Sequence, residues 1–371
     1  MAVPLNRVRQ DLRVFLAIVG LLTLIGLIFI YSSSSVFALE KFGAAHYFLK
    51  KQLIYFGLAL VCFFVFAATS LEWWQRMSPY LFLGALFLTA LTLVPGFGLR
   101  VHGSNRWLSF AGFSLQPSEF LKVFLFMYIG FFLEKKQYAI TSFLHGYLPF
   151  LTVLGISFVV LLKQPDFGSV VTIFVTAIVI FFIANFKTIH MLVTLALTLP
   201  AGIFLIFSKS YRLNRILIFL NPWSDPQGQG FQIIQSLIAI GSGQLLGLGI
   251  SNSKQKFFYL PMQHTDFIFP IIAEETGFVG SCIVIALYFL FLFYGLRLVL
   301  RFDRPFAFFT GLGFVVFITL QAVVNLMVTS GLLPTKGLGL PFISYGGTAI
   351  MSLLAMIGLM VNFARNSRVT S

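Results

Sequence analysis

The 371 residues are 58% hydrophobic and 10% charged, with a mean hydropathy of +0.95, which no water-soluble domain of this length can bury. The net charge of +14 comes from 25 basic residues set against only 11 acids, and the Lys and Arg are dispersed without any basic tract. That excludes a nucleic-acid surface and favours anionic lipid or a phosphorylated substrate.

The N-terminus carries Arg7, Arg9 and Arg13 before an apolar run too long for a secretory leader, so an uncleaved first membrane helix is expected. Apolar runs long enough for a bilayer core follow in order: 14–36, 47–68, 79–99, 117–133, 147–162, 168–186, 188–208, 267–297, 305–330 and 342–363. The expected fold is an all-α integral membrane protein of ten transmembrane helices, a single domain over 1–371. A large extracytoplasmic loop, 209–266, separates helices seven and eight. An even number of spans puts both termini on one side, together with Arg76, Lys135, Lys136, Lys187, Arg297, Arg301, Arg304 and Arg365. The excess of positive charge in those short loops makes that side cytoplasmic. Cys62 and Cys282 both sit in apolar runs and suggest neither a metal pair nor a disulfide.

Three segments on the opposite face are more than connectors: 97–117, 209–266 and 330–347. In the second, Asn221-Pro222-Trp223-Ser224-Asp225-Pro226 is a dense turn signal. Residues 231–240 then repeat apolar residues at helical spacing, as an interfacial helix does. Gly241, Gly243, Gly247 and Gly249 follow and permit close backbone approach.

Asp266 closes this polar stretch directly before an apolar run. A carboxylate there suits a general base acting on a sugar hydroxyl or a ligand for a divalent cation; an N-cap on the next helix is the structural alternative. Glu274 and Glu275 lie farther along the same run, where an acid costs about 3 kcal/mol and requires a partner or a wet cavity. On a continuous helix Glu274 falls near the Asp266 face and Glu275 nearly opposite; buried pairing with basic residues is the alternative for both. Glu119 and Lys122, three apart after Pro117, form either an intrahelical ion pair or part of a polar cavity lining. Asp166, after Pro165 and before a helix, reads as a cap. Arg106, Arg212, Arg215 and Lys336 are candidate phosphate clamps, with headgroup anchoring as the alternative. His264 and Asp266 offer two metal ligands but no third, which leaves room for a Mg²⁺ or Mn²⁺ site shared with substrate phosphates and none for a zinc site. Walker and nucleophile-elbow motifs are missing, so ATP-driven transport and serine hydrolysis are not indicated.

Seven stretches together resemble the SEDS proteins, the group of FtsW, RodA and SpoVE. They are Asn105-Arg106-Trp107-Leu108, Gln116-Pro117-Ser118-Glu119-Phe120-Leu121-Lys122, Gln164-Pro165-Asp166-Phe167-Gly168, Gln235 to Gly243, Asn252-Ser253-Lys254-Gln255-Lys256, His264 to Phe269 and Leu333 to Leu338. Asn221-Pro222-Trp223 and the fifth and seventh of these stretches look like the division-type FtsW branch. Pro261-Met262-Gln263 departs from the Pro-Glu-Ala usual there and is closer to RodA. The resemblance implies a ten-helix peptidoglycan polymerase that uses lipid II, works with a class B penicillin-binding protein and other divisome proteins, and depends on Asp266. It implies an inner-membrane protein acting at the division septum. A lipid II flippase and a noncatalytic division scaffold are the competing classes.

Overall fold

A computed structural model describes residues 5–366 except 102–103, 111–112, 139, 208–209, 229, 258–259 and 262. Each apolar run read from the sequence contains a helix. The helices are α1 (Leu5–Phe42), α2 (Tyr47–Ala68), α3 (Leu71–Leu91), α4 (Pro117–Lys135), α5 (Leu148–Lys163), α6 (Phe167–Ile183) and α7 (Thr188–Phe207). After two shorter helices, α8 (Ser210–Leu220) and α9 (Phe231–Ser242), come α10 (Ile268–Val299), α11 (Pro305–Thr329) and α12 (Gly347–Asn366). This is a multi-pass membrane fold; among the described residues, six helices are long and apolar enough by themselves to cross a bilayer. The helix expected over 231–240 is α9, whereas nothing in the sequence reading points to α8.

Several boundaries differ from the apolar runs, among them both ends of α1, which extends past the run 14–36 in each direction. Helix α3 begins eight residues before 79, because Glu72 and Arg76 break hydropathy but not helicity, and it ends before the turn at Pro95-Gly96. Helix α12 begins at Gly347 rather than 342, after a bend in which Phe342 has φ 66°. Among the described residues the helical architecture has one exception, an antiparallel sheet of β1 (Gly98–Val101), β2 (Ser104–Phe110) and β3 (Phe113–Leu115) joined in that order. Trp107 faces Leu99 on one side of β2, and Ser109 faces Ser114 on the other.

Helix α12 forms the centre of the bundle and is buried from Ser352 to Ala364. It lies against α2, and a Cβ at Gly358 would come within 2.5 Å of the Phe63 carbonyl, so only glycine permits that approach. Polar side chains join the helices where carbonyls and amides would otherwise be orphaned. Asn362 donates to the carbonyls of Phe66 and Ala67 at the end of α2, and Glu134 accepts from Gln75 and from the Phe306 amide that opens α11.

Helix α10 is broken at Gly277, whose φ of 68° and ψ of −162° end the first helical segment. Residues 244–249 enter the break as a strap of tight turns. Leu248 and Gly249 donate to the carbonyls of Glu274 and Glu275, while Phe278 and Val279 donate to those of Gln244 and Leu245. The interrupted backbone therefore keeps its hydrogen bonds, as any interruption at membrane depth requires. The close approach is possible because Gly247 and Gly277 face one another; a Cβ at Gly277 would lie 2.4 Å from the Gly247 nitrogen.

Candidate active site

The turn before α10 is fixed carbonyl by carbonyl. Tyr345 N–H donates to the His264 carbonyl at 2.9 Å, Ser344 Oγ to Thr265 at 2.6 Å, and Asn325 Nδ2 to Asp266 at 2.8 Å. Asn325 also donates to Leu338, so α11 ties this turn to the 330–346 segment. Phe267 occupies the cap position of α10 and no side chain caps that end, so the Asp266 carboxylate is not spent on helix capping.

That carboxylate opens into a cavity of about 1070 Å³ enclosed by the sheet, α4, α6, α8, α11, α12 and the 330–346 segment. Four cations (Arg106, Lys122, Arg215, Lys336) and three carboxylates (Glu119, Asp166, Asp266) line it. Burial pushes the Asp266 carboxyl up to about 6; Arg106 and Arg215 pull it back, and Asp166 pushes it further up. Burial also lowers the Lys336 ammonium, which sits over the Phe167 ring at 5.9 Å. Arg215 donates to the Thr335 carbonyl at 3.2 Å. From β2, Arg106 sends Nε and one Nη to the carbonyls of Gln164 and Pro165, both at 2.8 Å.

Deeper in the chamber, Lys122 and Glu119 form their intrahelical pair at 2.6 Å and line the cavity as well; Glu119 also accepts from Ser352 at 3.3 Å. Both sequence alternatives for the pair hold. Asp166 caps α6 through the Ser169 amide at 3.3 Å, as read, and in addition faces the chamber.

One expected member of the site is not brought into it. Glu274 is not among the residues lining the cavity: Ser253 Oγ, the Lys254 amide and the Gln255 amide all donate to its carboxylate. The helical offset that aligned it with Asp266 fails because Asp266 precedes the helix. Glu275 accepts from Ser32 and pairs with Lys256 at 3.5 Å, so buried pairing is the correct reading for it. Arg212 lies in α8, but its side chain falls outside what the structure describes.

His264 also lines the cavity, with its ring 4.4 Å from Phe48 and 5.7 Å from Tyr345. Burial drops its pKa to about 4, so it is neutral at physiological pH. Among the described residues no three His, Cys, Asp or Glu side chains gather as a metal cage. Gln321 and Asn325 belong to this region and were not singled out from the sequence; two amides four apart within the apolar 305–330 run were the available signal.

Together these features define a polytopic membrane protein whose half-buried carboxylate faces a large, cation-lined chamber. The chain matches the FtsW/RodA/SpoVE cell cycle protein family over residues 12–369, and it belongs to that family. A probable peptidoglycan glycosyltransferase FtsW of Geobacter metallireducens is 41% identical, over 98% of this chain and 96% of that one. Stage V sporulation protein E of Bacillus subtilis is 40% identical over 95% and 97%. Among solved structures, a chain from a peptidoglycan synthase complex that coordinates polymerization and crosslinking superposes with a TM-score of 0.78 at 30% identity, covering 95% of this chain and 97% of that one. The rod shape determining protein RodA of Thermus thermophilus superposes at 0.69 with 25% identity, covering 95% and 96%.

Proposed function

We propose that this chain is a peptidoglycan glycosyltransferase that polymerises lipid II into β-1,4 glycan strands during cell division, with Asp266 as general base of an inverting displacement. The observation that carries this reading is the Asp266 carboxyl, raised to about 6 and facing a chamber rimmed by Arg106, Arg215 and Lys336.

Asp266 takes the proton from the GlcNAc 4-hydroxyl of the incoming saccharide. The freed oxygen bonds to the anomeric carbon of the lipid-linked strand as the bond from that carbon to the diphosphate breaks, and polyprenyl diphosphate departs with the electron pair. Inversion turns an α-linked donor into a β-linked product. The leaving group is already good, so no second carboxylic acid is required, in contrast to glycosidases. It does need positive charge at its oxygens, which Arg106, Arg215 and Lys336 supply in a partly dehydrated site. Glu119 and Lys122 shape the chamber floor.

A divalent cation fits only as a weak guest. Asp266 and Asp166 would hold it from one side, with substrate phosphate oxygens completing its shell, and it would add charge neutralisation there. Chelation with EDTA is expected to slow polymerisation and added Mg²⁺ or Mn²⁺ to restore it; an unchanged rate leaves the basic side chains as the sole neutralisers.

The reading includes ten spans in one membrane domain in the bacterial inner membrane, with both termini cytoplasmic and the chamber on the far side. A class B penicillin-binding protein is its crosslinking partner. The purified protein with that partner, given labelled lipid II in vesicles, should yield glycan strands. If no polymer forms while lipid II still crosses the vesicle membrane, the chain is a flippase; if neither occurs, it is a scaffold. The rate should climb with pH through about 6 as Asp266 ionises. Arg215→Gln should move that limb upward and Asp166→Asn downward, since the first removes a charge that favours the carboxylate and the second one that opposes it.

A further inference from the structure

The proposed reaction consumes two lipid-linked sugar diphosphates at once, and each brings its own anionic group. The donor's diphosphate departs beside Asp266, where Arg106, Arg215 and Lys336 face it. The acceptor presents its 4-hydroxyl to the same carboxylate, so its diphosphate lies two sugar rings away and requires separate recognition.

A second cavity, about 290 Å³, shares the walls Tyr55, Ser114 and Tyr345 with the first. Its remaining lining is Lys51 and Ile54 from α2 with Leu99 and Ser109 from the sheet. Among the described residues Lys51 is its one cation, with Nζ over the Tyr47 ring at 4.6 Å. Ser109 and Ser114 are direct partners across the β2–β3 ladder, which places two hydroxyl-bearing residues side by side on this wall. Ile54 and Leu99 are 48% and 42% exposed, and α2 is a bilayer span by length and hydropathy, so this mouth has an apolar edge on lipid. Tyr345 connects the two chambers mechanically as well: its amide holds the His264 carbonyl, two residues before Asp266.

We infer that this smaller cavity is the acceptor subsite, in which Lys51 and the flanking hydroxyls take the diphosphate of the incoming lipid-linked saccharide while its prenyl chain leaves between Ile54 and Leu99. The sugars then run past Tyr55 and Tyr345 toward Asp266, aromatic faces on which pyranose rings stack. Lys51 is thus a specificity residue for one of two chemically similar substrates, and the inference rests on the glycosyltransferase reading above.

Two analogues separate the roles. Replacing the anomeric oxygen by a methylene gives a phosphonate that has no leaving group and acts only as acceptor; capping the GlcNAc 4-hydroxyl gives a molecule that acts only as donor. With full-length protein and its partner in nanodiscs, Lys51→Ala should raise the half-saturating acceptor concentration about tenfold and leave that of the donor within about twofold. Lys51→Arg should recover most of the loss. Equal rises for both analogues, or no rise for the acceptor, would overturn the assignment. If the parent protein makes no product at all, the glycosyltransferase reading fails instead. Direct binding of the radiolabelled phosphonate then decides the subsite: unchanged binding by Lys51→Ala overturns it, and weakened binding supports it. Displacement of the phosphonate by phosphatidylglycerol as readily as by unlabelled analogue would make the cavity an ordinary phospholipid headgroup site and overturn the proposal.

Discussion

Asp266→Asn is expected to lose two to four orders of magnitude in polymerisation rate, the usual worth of a general base, while unfolding at a higher temperature than the parent. Both effects have one cause. The carboxyl titrates near 6 in the folded protein against an ordinary value of 3.8, so burial opposes its charge. A group raised in this way stabilises the fold fully below its unfolded pKa, and that contribution is lost as pH rises through about 6. At pH 7.5 the ionised side chain thus costs on the order of 2 kcal/mol, after discounting for its partial exposure to water. Asparagine removes the penalty together with the base, so the melting temperature should rise by a few degrees. The parent should melt higher at pH 5 than at pH 7.5, whereas the variant's difference between the two should be smaller. A variant that polymerises like the parent would show that Asp266 is not the base.

Lys256→Met should cost about 3–5 kcal/mol, among the largest effects of any single substitution away from the chamber. Lys256 is the cation paired with Glu275 in a cluster where Glu274, Glu275 and Ser253 are also buried. Its ammonium also donates to the Ser251 carbonyl, and Ser32 of α1 donates to Glu275 at 2.7 Å. Without the lysine, a buried negative charge is left with hydroxyl and amide donors alone. The double variant Lys256→Met, Glu275→Gln should regain much of the loss, because the orphaned charge disappears with its partner. Thermal unfolding in detergent measures both; a single variant that melts with the parent would mean that water already reaches the cluster.

Hydropathy was sufficient to locate the long helices, because each must keep its own backbone bonded and present apolar side chains to lipid or to neighbours. The sheet at 98–115 is hard to read from the sequence because its strands are only three to seven residues long. The break in α10 was hidden for a different reason. Glu274-Glu275-Thr276-Gly277 is compatible with a continuous helix, and only the strap at 244–249, some thirty residues earlier, makes an interruption possible. Asp266, Arg106, Glu119, Lys122, Arg215 and Lys336 were recognisable because charge is rare in this chain. Glu274 looked equivalent to them, but its partners come from backbone amides, which no residue pattern reveals.

Arg106 fastens the sheet to the turn before α6 with two of its three nitrogens. A lysine could not do this, since a single ammonium on a flexible stem cannot grip two adjacent carbonyls in the fixed geometry of a guanidinium fork. One side chain therefore both lines the cavity and holds the sheet in place beside it. Replacing Arg106 should therefore detach the sheet from the turn before α6 as well as remove a positive charge from the cavity wall.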